Sequence, residues 1–135
     1  VYKRQGRYRA LKAGLRMVLV DTSIWIDHLR KPEPGLIHLL ESEEVMIHPF
    51  IIGELACGTL QNREVLLYNL GKLPRVPLAN DIEVHAMIEN RGLMGKGVGY
   101  LDMHLLATVL LGQGVRLWTR DRKLAVIADE LSVTH

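Results

Sequence analysis

Short apolar runs alternate with longer amphipathic stretches from residue 17 onward. MVLV (17–20) is apolar at every position, the pattern of a strand buried on both faces of a parallel sheet. DTS then supplies helix-capping chemistry, and SIWIDHLR predicts a helix. KPEPG breaks it, and GLIHLLES predicts a second helix. EVMIH reads as the next strand, and PFIIGELACGTL as a helix with Pro49 near its first turn. NREVLLYNLGK predicts a further helix. LPRVPL predicts a short edge strand, because its two prolines exclude it from a central ladder.

The second half continues the alternation. NDIEVHAMIENRGLM predicts a helix with Ile82, Ala86 and Glu89 or Met87 spaced by turns. GKGVGY is a loop, and YLDMHLLATVLLGQG is a strongly apolar helix ended by glycine. VRLW predicts a strand, DRKLAVIADEL a short helix and SVTH a last strand. There is no internal repeat. The alternation predicts an α/β sandwich with a mainly parallel sheet and right-handed crossovers.

Composition narrows the possibilities. A chain of 135 residues with 48% hydrophobic and 24% charged residues suits one globular domain. Cys57, the one cysteine, cannot form an internal disulfide, and its place in IIGELACG predicts a small core residue. No apolar run approaches the roughly 18–20 residues of a membrane span, and LLATVLLG has the length of a core helix. The N-terminus lacks the apolar stretch of a secretory signal, so a cytoplasmic protein without membrane contact is expected. The net charge of +2 is unevenly spread. Residues 1–16 hold six Lys/Arg and no acid, which leaves 11 basic against 15 acidic residues in 17–135, a net of −4. The expected organisation is a basic tail, 1–16, ahead of one domain, 17–135. The tail could meet nucleic acid, but Met17 opens the first strand, so an upstream segment that is not native explains it as well.

Four acids stand out against this pattern. In open parallel sheets, ligands bind beyond the carboxyl ends of strands. Asp21 directly follows MVLV and Asp121 comes shortly after VRLW, each at a helix start. Either could simply cap its helix and complement the dipole. Glu54 interrupts FIIGELA and Asp102 interrupts YLDMHLLA, both expected in first turns of largely buried helices, where unpaired charge is costly. Neither has a charged neighbour one turn away that would mark a polar face. Clustered carboxylates repel unless cations are present, and oxygen-only ligands favour Mg²⁺ or Mn²⁺. Such a site activates water and stabilises charge on a transferring phosphoryl group. The six histidines (28, 38, 48, 85, 104 and 135) show no zinc-ligand spacing. His104 reads as a core or partner-facing residue. Gly53 and Gly58 suggest close helix approach around Glu54.

VDTSIWIDHLR, IIGELACG and GYLDMHLLATVLLGQGVRLWTRDRKL, in that order, resemble the successive motifs of the PIN domain, and among its members the VapC-type toxins of bacterial toxin–antitoxin pairs. The resemblance covers essentially all of 17–135. It implies a three-layer α/β/α fold and a Mg²⁺- or Mn²⁺-dependent endoribonuclease whose carboxylates are Asp21, Glu54, Asp102 and Asp121. Ser23 and Thr119 match the family's small hydroxyl positions beside the site. Leu124 departs from the phenylalanine of many members, a packing change that leaves the acids intact. Asp27 falls outside the family set and reads as a helix-surface residue. The resemblance also implies an RNA substrate, a VapB-like antitoxin and a homodimer. Arg120, Arg122 and Lys123, in RDRK beside Asp121, are the main candidates to grip RNA, with Lys96 and Arg116 as further bases. Ile24, Trp25, Leu29 and Leu60 are candidates for an antitoxin groove, with core packing the alternative for each.

Two other readings compete. One is a stand-alone RNA-processing PIN nuclease. The other is a non-catalytic regulatory or binding module, such as a phosphoryl receiver, which requires a lysine on a late strand that VRLWT does not offer.

Overall fold

The computed structural model describes residues 16–135. The basic tail falls almost wholly outside them. Strand β1, Met17–Val20, is central to a sheet of order β2-β1-β3, with β2 at Val45–Met46 and β3 at Val115–Trp118, all parallel. Every residue of β1 is at most 2% exposed. Successive strand side chains point to opposite faces, so both faces must be covered by helices. This is the expected three-layer α/β arrangement, with seven helices among the described residues.

The helices are α1 (Thr22–Arg30), α2 (Pro34–Glu41), α3 (Pro49–Ala56), α4 (Arg63–Lys72), α5 (Asp81–Arg91), α6 (Tyr100–Leu111) and α7 (Arg122–Glu130). Their ends follow local chemistry. Pro34 and Pro49 occupy the first turns of α2 and α3, where a missing N–H costs nothing. Asn80 and Glu83 form a reciprocal capping box at the start of α5, and Gly92 ends that helix in the left-handed region at φ 61°. Helix α6 is buried at every position from Met103 to Val109, as its apolar sequence predicts.

Several expectations shift. LPRVPL forms one parallel bridge, Ile47 to Arg75, rather than a strand, and SVTH likewise contributes only Leu117 to Thr134. Proline at 74 and 77 denies that first segment two ladder donors. Helix α5 buries Val84 and the expected Met87, while Ile82 is 80% exposed, so its inward face is only partly the one expected. Helix α3 ends at Ala56, which leaves Cys57 exposed at its C-cap instead of in the core. Ile24 and Trp25 are core residues, and only Leu29 of α1 among the groove candidates is clearly exposed. No described helix is long and apolar enough to cross a membrane.

The chain leaves β1 through α1 and α2 to pair β2 on one side, then returns through four helices to pair β3 on the other. The carboxyl ends of β1 and β3 therefore meet where the winding direction reverses, the place where open α/β sheets bind ligands. Leu19 is wholly buried in the central strand, in register with Met46 on one side and Leu117 on the other. Leu19→Ala is expected to cost about 2–5 kcal/mol in urea unfolding, lowering the midpoint with the slope unchanged.

Candidate active site at the carboxyl edge of the sheet

Pairing of Val20 with Trp118 brings the two strand ends level, and the Asp21 amide extends the ladder by donating to the Trp118 carbonyl at 2.9 Å. Asp21 is 6% exposed and sits at the N-cap position of α1, yet its side chain makes no cap hydrogen bond. Helix capping therefore does not account for this acid. Its Oδ2 instead accepts from Ser23 Oγ at 3.0 Å and from Thr119 Oγ1 at 2.7 Å.

Those two hydroxyls are relays. Ser23 Oγ accepts from the Arg120 amide at 3.1 Å, and Thr119 Oγ1 accepts from the Asp121 amide at 3.1 Å. The segment after β3 is thus bonded to Asp21 through both hydroxyls that the family resemblance picks out. Asp121 does cap its helix, since Oδ1 accepts from the Leu124 amide at 3.0 Å. Leu124 itself is fully buried, so it anchors the first turn of α7 in the core while its amide orients Asp121.

Glu54 arrives from α3. It lies in the second turn, exposed, on a helix that buries only Ile51 and Leu55, rather than in the first turn of a buried helix. Thr22 Oγ1 donates to Glu54 Oε1 at 2.9 Å, which ties this helix to the residue following Asp21. The sequence reading passed over Thr22, although a second hydroxyl directly after Asp21 was its visible signal. His48, also unassigned from sequence, caps α3 by accepting the Phe50 amide at Nδ1, 3.0 Å away. Burial holds its pKa down to about 4, so it stays neutral and keeps that acceptor at neutral pH. Gly53 and Gly58 serve no close approach. A side chain at 53 would meet open space, and one at 58 only an ordinary contact.

Asp102 is the third residue of α6, in the first turn as expected. Its pKa is raised to about 6, first by burial and then by the negative charges of Asp21, Asp121 and Glu54, with the Gly99 amide opposing. The charges that act on it are those of the other three acids. The four carboxylates are thus neighbours electrostatically, brought from four elements to one edge of the sheet.

Asp21, Glu54 and Asp121 each spend one oxygen on an internal hydrogen bond, and the second has no protein donor among the described residues. Hard oxygen donors in excess negative charge suit Mg²⁺ or Mn²⁺. Among the described residues, however, no three His, Cys, Asp or Glu side chains stand close enough to enclose an ion. The two observations agree if the repelling carboxylates are spread. Mg²⁺ keeps several waters and commonly takes only one or two protein carboxylates, so a spread set fits it chemically.

The basic candidates divide. Arg116 donates to the Ser132 carbonyl, Lys96 lies 3.9 Å from Glu130, and Arg120 pairs with Asp27 and Glu33. Asp27 is therefore an ion-pair partner, not a solvated surface acid. Arg122 and Lys123 are exposed with no ion-pair partner among the described residues, and the Lys123 side chain lies against Gly97, where any Cβ would collide with it. His104 is a core residue, with Nε2 3.2 Å from Asp81 Oδ1 and its ring between Phe50 and Tyr100.

Linkage gives the site a thermodynamic signature. Folding favours the protonated form of Asp102, so between pH 3.8 and about 6 the folded chain binds more protons than the unfolded one. This group's contribution to stability therefore falls as pH rises through that window and is most unfavourable above it. In metal-free protein, Asp102→Asn should raise the melting temperature by roughly 2–5 °C at pH 7.5, and the gain should vanish near pH 4.

Comparison with known proteins places the chain in a family. The PIN domain family matches residues 18–130. Ribonuclease VapC32 of Mycobacterium tuberculosis, found in two strains, is 43% identical over 117 residues, which cover 87% of this chain and 94% of the relative. With the match running from residue 18 to 130 and including all four acids, the chain belongs to the PIN domain family.

Proposed function

We propose that this protein is an endoribonuclease that hydrolyses RNA phosphodiesters at a divalent-metal site formed by Asp21, Glu54, Asp102 and Asp121. The carrying observation is that the other three acids together oppose the ionisation of Asp102, which a bound cation would reverse. Likeness over nearly full length to a protein named as a ribonuclease supports RNA as the substrate. A Mg²⁺ or Mn²⁺ ion held there would supply positive charge for a phosphoryl oxygen and make water more acidic.

The chain's own residues do the rest. Thr119 and Ser23 hold Asp21 with one oxygen engaged and the other directed away from its hydrogen bonds. Thr22 steadies Glu54, and the α7 amide at Leu124 steadies Asp121. Arg122 and Lys123, exposed beside Asp121 and without an ion-pair partner among the described residues, are the bases we assign to the phosphate backbone.

By its VapC-type likeness the protein is the toxin of a toxin–antitoxin pair, acting as a homodimer and restrained by a VapB-like antitoxin. A cationic side chain from that partner would relieve the repulsion at the acidic edge without any metal. Leu29 and Ile26 of α1 offer exposed apolar surface to such a partner, while Ile24 and Trp25 are spent on the core.

The test is cleavage of total cellular RNA by the purified protein, with and without Mn²⁺, followed by mapping of the new ends. Cleavage should need the ion, and Asp21→Asn should lower its rate by about a hundredfold or more while circular dichroism stays native. Wild-type rates in Asp21→Asn, or in excess chelator, would overturn the assignment.

A further inference from the structure

Arg120 follows Thr119 and precedes Asp121, and from sequence it is the obvious base to grip RNA. The structure gives its guanidinium a different occupation. Nη1 lies 2.5 Å from Asp27 Oδ2 on α1, and Nη2 contacts Glu33 Oε2 in the turn between α1 and α2. Its backbone amide donates to Ser23 Oγ, also on α1. The residue is therefore held against α1 at both its main chain and its tip.

Both partners are themselves fixed. Asp27 projects from the middle of α1. Glu33 is the N-cap of α2: its Oε1 accepts from the Gly35 amide at 3.3 Å, and its own amide donates to His28 Nδ1 at 3.0 Å. A planar guanidinium can serve two carboxylates from one position, which an ammonium does less well. One positive charge between two negative ones leaves the cluster net negative, so it offers no attraction to a phosphate.

We propose that Arg120 is a positioning residue rather than an RNA-gripping one: the Asp27–Arg120–Glu33 clamp pins the β3–α7 turn to α1 and so sets the spacing between Asp21 and Asp121. The inference rests on the nuclease reading of the carboxylate edge. Beyond the Asp21 amide's bond to the Trp118 carbonyl, the turn carrying Asp121 is tied to Asp21 by side chains through the Ser23 and Thr119 hydroxyls. Exposed ion pairs add little to stability, so the clamp's consequence lies in geometry, where a shift of about 1 Å can cost ~100-fold in rate.

The experiment compares the full-length protein with Arg120→Ala, with the pair Asp27→Asn and Glu33→Gln, and with all three changes. Initial rates on total cellular RNA give kcat and apparent KM over a range of salt, and calorimetry without RNA gives Mn²⁺ affinity. The expected result is a loss of about tenfold in kcat and a several-fold loss in Mn²⁺ affinity for both variants. Apparent KM should stay within about twofold, and the triple variant should be no worse than either, as for residues acting as one unit.

An RNA grip gives the opposite pattern and would overturn the proposal. Arg120→Ala would then raise KM and flatten the salt dependence, while removing the two acids would free the guanidinium and lower KM. Native kcat and Mn²⁺ affinity in folded variants would also overturn it, leaving an ordinary surface ion pair. Should Arg120→Ala fail to fold, the exposed Asp27 and Glu33 changes decide alone. A wild type that cleaves no RNA would remove the nuclease reading, and the Mn²⁺ affinities would still decide the clamp.

Discussion

Mutual repulsion among four carboxylates is the constraint around which one edge of this protein is organised. Asp21, Asp102 and Asp121 stand at or near the start of a helix and Glu54 in the second turn of another, and among the described residues none of the four has an ion-pair partner. Burial, and after it the charges of the other three, raises the pKa of Asp102 to about 6. An arrangement of that kind persists only if the rest of the structure holds its members in place. The holding is done by short-range bonds from the backbone and from hydroxyls: Ser23 and Thr119 on Asp21, Thr22 on Glu54, and the Leu124 amide on Asp121. Uncharged donors are suited to the task, because they fix a carboxylate without cancelling the charge that makes it useful.

The sheet supplies the frame. With β1 buried on both faces and paired in parallel to β2 and β3, the carboxyl ends of β1 and β3 are level and adjacent. That register places Asp21 beside the turn carrying Thr119 and Asp121. Helix α3 and helix α6 then bring Glu54 and Asp102 from outside the sheet. The core sets the coarse position of each element, and hydrogen bonds and the Arg120 ion pairs adjust the last ångström. Stability and function are thereby divided among different residues, with apolar burial carrying the first and polar contacts near the edge shaping the second.

Much of this was legible in the sequence because it depends on period and punctuation. MVLV could be recognised as a doubly covered strand, and acids following strands could be placed at one edge. The relations between distant side chains were less visible. Glu54 was expected inside a buried helix, because an apolar neighbourhood looks the same whether its polar face meets solvent or a site. On α5 the expected Met87 is buried but Ile82 is not, and Val84 takes the inward place, because an apolar residue in the first turn need not face the core. Arg120 looked like a free base because its two acidic partners, six residues apart from each other, lie some 90 positions upstream. No local spacing reports a contact of that range.

The central claim is that the four acids form a divalent-metal site, and location of a bound ion tests it more directly than any rate. Crystals of the protein grown or soaked with Mn²⁺ would reveal the metal by its anomalous scattering. The account predicts a peak at the carboxyl edge between β1 and β3, within coordinating distance of at least two of Asp21, Glu54, Asp102 and Asp121. A strong peak elsewhere, or none there at a Mn²⁺ concentration that supports RNA cleavage in solution, would contradict it.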